Sequence, residues 1–232
     1  MTHTTPTHTG PSQNARPKGQ LWLALTGLVL ITSAASLALA EGDKAKDGEE
    51  ENAAAAALEA NAALPEPSGD QVVAGRKAFI EVAKVLQSPR CMNCHPTGDR
   101  PLQTDQSVPH AMNISRESLK SGMACSTCHR EENSDEIGII GGPPGAPHWG
   151  LPPEETPMIF QDLSPALLCD QLQDPVKNGN RSLQDLLEHV TKDPLVLWGW
   201  NPGGNRTKPP LTHQEFVRNF TLWVQAKGAC PE

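Results

Sequence analysis

Apolar residues recur at helical spacing in the stretch that begins near Gln71. The positions that repeat every three or four residues are Val72, Arg76, Phe79, Val82 or Ala83, and Leu86. This period is typical of an amphipathic helix with one buried face. Proline lacks a backbone N–H and disfavours a helical residue before it, so Pro89 marks a stop. The pattern therefore predicts a helix that ends before Pro89.

Three more helices are predicted in the C-terminal third, because a polar start signal precedes an apolar stripe three times. A Ser or Thr at the N-cap accepts hydrogen bonds from the first turn, and an acidic residue three positions later strengthens the start. The start signals are Ser164 with Pro165, Ser182 with Asp185, and Thr212 with Glu215. The stripes are Leu167, Leu168 and Leu172; Leu183, Leu186, Leu187 and Val190; and Phe216, Phe220 and Trp223. Gly228 supplies a stop for the last helix.

The segment between these helices has the composition of loops. Residues 96–157 are rich in proline and contain the run Gly-Gly-Pro-Pro-Gly at 141–145, which interrupts regular structure. No run alternates as a half-buried strand would. Residues 88–160 also offer too few large apolar side chains for a self-sufficient core. We expect a mainly α fold with long Pro/Gly-rich loops, in which a buried apolar cofactor completes the core.

The first forty residues are typical of a secretory signal peptide. Arg16 and Lys18 precede an apolar core that begins at Leu21, and a small-x-small exit ends at Ala40. We expect export to the periplasm, with cleavage after Ala40. The alternative is an uncleaved anchor in the inner membrane that faces the periplasm, because residues 21–40 are about long enough to span a bilayer.

Acidic charge is concentrated in the segment 41–70. The chain has 19 Lys+Arg and 27 Asp+Glu, a net charge of −8, and this segment alone holds nine acidic residues against two lysines. With an alanine run at 53–57, this composition predicts a disordered linker in which the alanines can form a short helix. A docking segment for a basic partner is the alternative. Residues 71–232, the predicted folded domain, carry a net charge of only −3, which does not suit nucleic acid as a partner.

Two copies of the pattern Cys-x-x-Cys-His lie in the loop-rich segment. They are Cys91-Met92-Asn93-Cys94-His95 and Cys125-Ser126-Thr127-Cys128-His129. Cysteines three positions apart lie on one side of a helical turn, where both sulfurs can reach the vinyl groups of one haem. The histidine that follows can bind the iron as proximal ligand. We therefore expect two covalently bound haem c groups, with His95 and His129 on the irons.

Two other interpretations fit these cysteines when the histidines are ignored. Two Cys-x-x-Cys pairs also describe a zinc site with four cysteine ligands, and each pair could close a short disulfide. Neither interpretation gives His95 or His129 a role. Only 8 of the 232 residues are His, so a histidine directly after both pairs favours haem.

Cys169 and Cys230 lie outside the motifs. In an oxidising compartment two remaining cysteines usually pair, and we expect a disulfide that ties the C-terminal helices together. The alternative is a cysteine thiolate as a distal haem ligand.

Several side chains are candidates for the distal side of the irons. They are His110, His148, His189, His213, Met92, Met112, Met123 and Met158. We predict His110 and His148 as the preferred distal ligands because both lie in loops near the motifs. His189 is the third candidate, Met158 is the main competitor, and His213 is interpreted as a structural residue in the first turn of a helix. Two six-coordinate irons would make an electron carrier, whereas an open position on one iron would suit a dihaem enzyme such as a peroxidase.

Further similarity extends over the chain from about Pro89 to the C-terminus. It is carried by the segments CMNCHPTGDRPLQ, VPHAMN, CSTCH, GAPHWGLPP, LCDQLQDPVKNGNRSLQDLLEH and WGWNPGGNR. Together they resemble small, exported, helical dihaem cytochromes c that are regarded as subunits of isoquinoline 1-oxidoreductase-type molybdenum hydroxylases. We expect an electron carrier and not an enzyme, because the chain supplies more spare histidines than the two irons need, and the resemblance implies that it accepts electrons from a dehydrogenase. Its partners would be a molybdenum/iron–sulfur dehydrogenase as donor and a respiratory or cytochrome acceptor.

Overall fold

A computed structural model of the chain describes residues 34–135, 138 and 141–232. The chain divides into two compact units, Met1–Gly42 and Asp43–Glu232, and the second unit contains both Cys-x-x-Cys-His motifs. Residues 1–33 of the predicted signal peptide lie outside the described residues, so export and cleavage after Ala40 stay predictions. Within the described ranges, no helix is both long and apolar enough to cross a membrane.

Helices make up most of the regular structure, which confirms a mainly α fold. They are α1 (Ala34–Ala62), α2 (Gly69–Leu86), α3 (Pro89–Met92), α4 (Arg116–Lys120), α5 (Pro165–Gln173), α6 (Pro175–Asn178), α7 (Leu183–Lys192), α8 (Pro194–Trp198) and α9 (His213–Gln225), with 3-10 turns at Ala111–Asn113 and Cys125–Thr127. A short antiparallel ribbon joins β1 (Leu102–Gln103) to β2 (Val108–Pro109). The sequence did not predict this ribbon, because two residues per strand are too few to form an alternating pattern.

The helices expected from start signals are present. Ser164, Ser182 and Thr212 are the N-caps of α5, α7 and α9, and each side chain accepts a hydrogen bond from the backbone N–H three residues later. Helix α2 begins after the N-cap Ser68 and ends at Leu86, before the predicted stop. These four predictions are confirmed, with differences of a few residues at the ends.

The side-chain core forms where α2 packs against α9. Phe79 on α2 and Trp223 on α9 are fully buried, and their ring centroids lie 5.0 Å apart. Gly75 faces Ala226, since a Cβ built on Gly75 would lie 2.2 Å from the Cβ of Ala226. Real Cβ atoms do not approach so closely, so glycine at position 75 allows the helices to meet. Buried residues of α5 and α7 complete the cluster.

Gly75→Ala should destabilise the protein although alanine is the better helix former. The methyl group would force α2 away from α9, at a cost of about 1–3 kcal/mol, against which helix propensity returns at most about 1 kcal/mol. Denaturant unfolding of the purified protein measures the difference. Gly69→Ala is the matched control, because nothing lies within 4 Å of its built Cβ. Equal stability of the two variants would contradict this account of the α2–α9 contact.

Cys169 and Cys230 form a disulfide that joins α5 to the segment after α9. The predicted pairing is therefore confirmed, and the alternative of a Cys169 or Cys230 thiolate as haem ligand is wrong. The bond lies at the edge of the core cluster, in which Cys169 is fully buried. It fixes the C-terminal end of the chain to the helices that precede α9.

Replacing both Cys169 and Cys230 by Ala should lower the free energy of unfolding by roughly 3–4 kcal/mol. The bond closes a loop across a sequence separation of 61 residues, and losing it returns that loop entropy to the unfolded chain. Denaturant titration of the variant beside the unreduced natural chain measures the loss. Free thiols mapped by mass spectrometry at both positions of the unreduced, denatured chain would overturn the assignment.

The acidic segment 41–70 differs from the expected disordered linker. Residues 34–62 form one helix, α1, which includes the alanine run, because alanine has the highest helix propensity of any residue type. The end of α1 is attached to the domain: the backbone N–H of Leu183 donates to Asn61 Oδ1 (2.7 Å), and Lys227 Nζ donates to the carbonyl of Ala62 (3.2 Å). The division of the chain at residue 70 stays a prediction.

Candidate functional site

The first Cys-x-x-Cys-His motif folds as a helical turn. Helix α3 contains Cys91, and the backbone N–H groups of Cys94 and His95 donate to the carbonyls of Cys91 (3.1 Å) and Met92 (3.0 Å). This local folding follows from Pro89, which is favourable in the first turn of a helix. Both sulfurs and the imidazole of the motif are therefore held within two consecutive turns.

The second motif adopts a similar backbone without a proline. A 3-10 turn spans Cys125–Thr127, and the N–H groups of Cys128 and His129 both donate to the carbonyl of Cys125, at 3.1 and 2.9 Å. The spacing that predicted a shared chemistry thus produces a shared local conformation. Because one 3-10 turn takes three residues, the turn places Cys125 and Cys128 on the same side of the backbone.

The imidazole of His95 is fixed in one tautomer. Its Nδ1–H donates to the backbone carbonyl of Met158 (2.7 Å), and its ring stacks on Phe160 at a centroid distance of 4.0 Å. A carbonyl oxygen can only accept, so the ring proton is on Nδ1 and Nε2 keeps its lone pair. Burial lowers the pKa of His95 to about 4. His95 is therefore a neutral imidazole whose Nε2 can bind a metal.

The imidazole of His129 is fixed in the same way by a different loop. Its Nδ1–H donates to the carbonyl of Pro144 (2.7 Å), and its ring stacks almost parallel on Trp149, with centroids 4.6 Å apart. Burial lowers the pKa of His129 below its usual value. A hydrogen bond from the second ring nitrogen to a carbonyl is the usual support of a metal-binding histidine. Both motifs thus present a prepared imidazole ligand.

The four motif cysteines are free thiols in this structure. Burial raises the pKa of Cys91 to about 12 and of Cys94 to about 11, and burial also raises the pKa of Cys125. All six cysteines lie in the described part of the chain, where no three His, Cys, Asp or Glu side chains gather as a metal site would require. The geometry therefore favours neither the zinc site with four cysteine ligands nor the two short disulfides.

A cavity of about 860 Å³ lies between the two motifs. This volume is within the range of cofactor sites, which are mostly apolar with a few polar groups. The second motif contributes Cys125, Cys128 and His129 to the wall, and the first contributes Cys94. The remaining wall includes Leu102, His110, Ile114, Met123, Pro144, Trp149, Leu151 and Trp198. The cavity therefore combines an apolar surface with a metal-binding imidazole and thiols that can be alkylated.

His110 lies opposite His129 across this cavity. Their ring centroids are 6.0 Å apart, and Nδ1–H of His110 donates to the carbonyl of Ala111 (2.9 Å). With metal–nitrogen bonds of about 2.0–2.1 Å, two imidazoles on opposite faces of one metal have centroids about 6 Å apart. The structure therefore brings His110, a predicted distal ligand, close to His129, a predicted proximal ligand.

The other two predicted distal histidines are placed differently. His148 is exposed and is not part of the cavity wall, because its loop turns Trp149, and not His148, towards His129. His189 is partly buried on α7, where its Nδ1 lies 3.3 Å from Asp193, and it is near enough to His95 to contribute to lowering that pKa. The structure thus places His148 outside the cavity wall and His189 near His95, and the choice of distal ligand stays a prediction.

The methionine candidates do not form a second set of ligands. Met158 uses its carbonyl to hold His95, while its side chain is buried in the core cluster. That position argues against Met158 as a distal ligand, because the carbonyl lies on the Nδ1 side of the imidazole. Met112 and Met123 border the cavity but are largely exposed. His213 is structural, as predicted, and its Nε2–H donates to the carbonyl of Val190 (2.9 Å).

Sequence reasoning missed the residues that support the two imidazoles. The carbonyl of Met158 is 63 positions from His95 and that of Pro144 is 15 positions from His129, and backbone acceptors leave no mark in a sequence. Gly145 is a residue in the sequence that could have indicated the fold of this loop. A Cβ there would lie 2.2 Å from the carbonyl oxygen of Glu132, so only glycine lets the loop fold back beneath His129.

Comparisons with protein-family models, curated proteins and solved structures found no match to this chain. The resemblance to exported dihaem cytochromes therefore stays a prediction from the sequence motifs.

Proposed function

We propose that this protein is a periplasmic electron-transfer cytochrome with two covalently attached haem c groups. The observation that supports it most is that the imidazoles of His95 and His129 are held in the same way. Each follows a Cys-x-x-Cys turn, and each gives its Nδ1–H to a backbone carbonyl while Nε2 stays free. Such support sets the tautomer and raises the basicity of a metal ligand.

The residues of both motifs fit haem attachment. Cys91 and Cys94 would hold one haem, and Cys125 and Cys128 the other. Each thiol would add across a vinyl group, so that sulfur bonds to one carbon and the hydrogen goes to the neighbouring carbon, and nothing leaves. When bound, the haem supplies an iron that accepts and releases one electron.

The His110–His129 pair favours a carrier over an enzyme at the second haem. Two imidazoles on one iron leave no position for a substrate. The proposed donor is a molybdenum/iron–sulfur dehydrogenase and the acceptor a respiratory or cytochrome partner, and both follow from the resemblance of the motif segments. Location in the periplasm follows from the predicted signal peptide.

A second candidate function, a peroxidase-like dihaem enzyme, is favoured by one observation at the first motif. Among the described residues, the ring that packs on His95 is Phe160, and no second imidazole faces it as His110 faces His129. His189, the nearest candidate, is held by Asp193. Binding of carbon monoxide to the reduced protein separates the two functions. Rapid binding to one haem supports the enzyme, and no rapid binding supports the carrier.

Serine variants of the motif cysteines test haem attachment directly. Replacing both Cys91 and Cys94 should leave one covalent haem per chain, and replacing both Cys125 and Cys128 should leave the other. Intact mass and haem staining of denaturing gels measure retention. Replacing Cys169 and Cys230 is the matched control and should keep two haems, because these residues form the disulfide. A natural chain that carries zinc and no haem would refute the proposed function.

Methionine variants test which histidine is the distal ligand of the second haem. His110→Met should keep the haem attached, raise its reduction potential, and add the near-infrared sulfur–iron band, because Met/His ligation raises the potential relative to two histidines. His148→Met is the control and should leave potential and spectrum unchanged, since His148 is exposed outside the cavity. A shift in the His148 variant alone would restore the original preference for that residue.

A further inference from the structure

Arg90 is a buried cation beside the first motif whose hydrogen-bonding capacity is only partly used. Its side chain is 3% exposed, and Nη2 donates to Asp105 Oδ1 at 2.6 Å. Its Nε is buried and has no hydrogen-bond partner among the described residues. A guanidinium has five N–H donors, so Asp105 satisfies a minority of them. Buried donors without partners are costly and call for an acceptor.

The guanidinium of Arg90 is held at the wall of the cavity. Arg90 and Arg206 both line it, and the ring of Trp198 lies 5.9 Å from the Arg90 guanidinium carbon, within range of a cation–π contact. Arg206 already gives Nη1 and Nη2 to the carbonyls of Pro202 and Gly142. Of these two cations, Arg90 therefore has the larger share of unused donors.

The acidic residues of the wall also receive hydrogen bonds from neutral donors. Asp105 also accepts hydrogen bonds from the backbone N–H (3.1 Å) and the hydroxyl (2.6 Å) of Thr207. Asp135 accepts one from the backbone N–H of Gly204 (2.7 Å). Neutral donors thus stabilise both carboxylates, and the unused donors of Arg90 remain for an acceptor that enters the cavity.

We propose that Arg90 binds a carboxylate of the cofactor in this cavity, namely a propionate of the haem attached to Cys125 and Cys128. This inference rests on the proposed function. The second motif is chosen because both its cysteines and His129 line the cavity, whereas of the cysteines and histidine of the first motif only Cys94 does. Arginine suits this role because its planar fork binds carboxylates through two parallel hydrogen bonds.

A buried positive charge at the haem edge has a measurable consequence. The ferric haem carries one more positive charge than the ferrous haem, so a nearby cation disfavours the oxidised form. Removing Arg90 should shift the ratio of reduced to oxidised haem by about tenfold towards oxidised at fixed potential, given the size of interactions between partly buried charges. A tenfold change corresponds to 59 mV for a one-electron couple.

The test uses the full holoprotein with haem whose propionate carboxylates are labelled with carbon-13. Arg90→Gln removes both the positive charge and the planar guanidinium fork, whereas Arg90→Lys keeps the positive charge without the fork. Redox titration measures each haem potential, and redox-induced infrared difference spectroscopy follows the labelled carboxylate band. Arg218→Gln is the matched control, because Arg218 is exposed on α9 and is not part of the cavity wall.

The expected result is a lower potential for the second haem in Arg90→Gln, with a shifted carboxylate band in both Arg90 variants and neither change in Arg218→Gln. If Arg90→Gln fails to fold, the band in Arg90→Lys decides, since a purely structural role would not move a haem carboxylate. Folded Arg90 variants with two haems, unchanged potentials and an unchanged band would overturn the inference while leaving the proposed function intact. A natural chain without haem would refute both.

Discussion

The structure depends on where two partly buried imidazoles donate their Nδ1 protons. A buried N–H must have an acceptor, and in both motifs that acceptor is a backbone carbonyl from a later loop, Met158 for His95 and Pro144 for His129. Each loop must therefore fold back onto its motif. For His129 this requires Gly145, and for His95 it brings Phe160 so near that its N–H donates to the His95 carbonyl (2.9 Å). The positions of the loops follow from the two histidines.

The molecule therefore has two interior regions that differ in how they are filled. The α2–α9 core is filled by side chains such as Phe79 and Trp223 and is secured by the disulfide. The loop region around the second motif has instead a large cavity with polar groups that point at it. A cofactor in the cavity would supply the apolar contacts that residues 88–160 lack, which explains how so proline-rich a segment can hold a defined structure.

The parts of the fold that sequence predicts are those encoded locally. N-cap residues such as Ser182 and the apolar stripe before Pro89 predicted where helices lie. The Cys-x-x-Cys-His spacing predicted the two turns that present the site. One failure was local and the others were not. Alanine propensity extended α1 through a segment whose charge suggested disorder, and the choice between His148 and His189 depended on which way a loop turns Trp149. Contacts across the fold, such as Met158 to His95, cannot be read from neighbouring residues.

The central claim is that both prepared imidazoles serve covalently attached haems. The most direct measurement is the amount of haem per chain in the purified natural protein, determined from the alkaline pyridine spectrum together with the protein concentration. The account predicts two haems per chain, with the spectrum of haem whose vinyl groups have both been converted to thioethers. One haem or none, or a spectrum that retains unreacted vinyl groups, would contradict it.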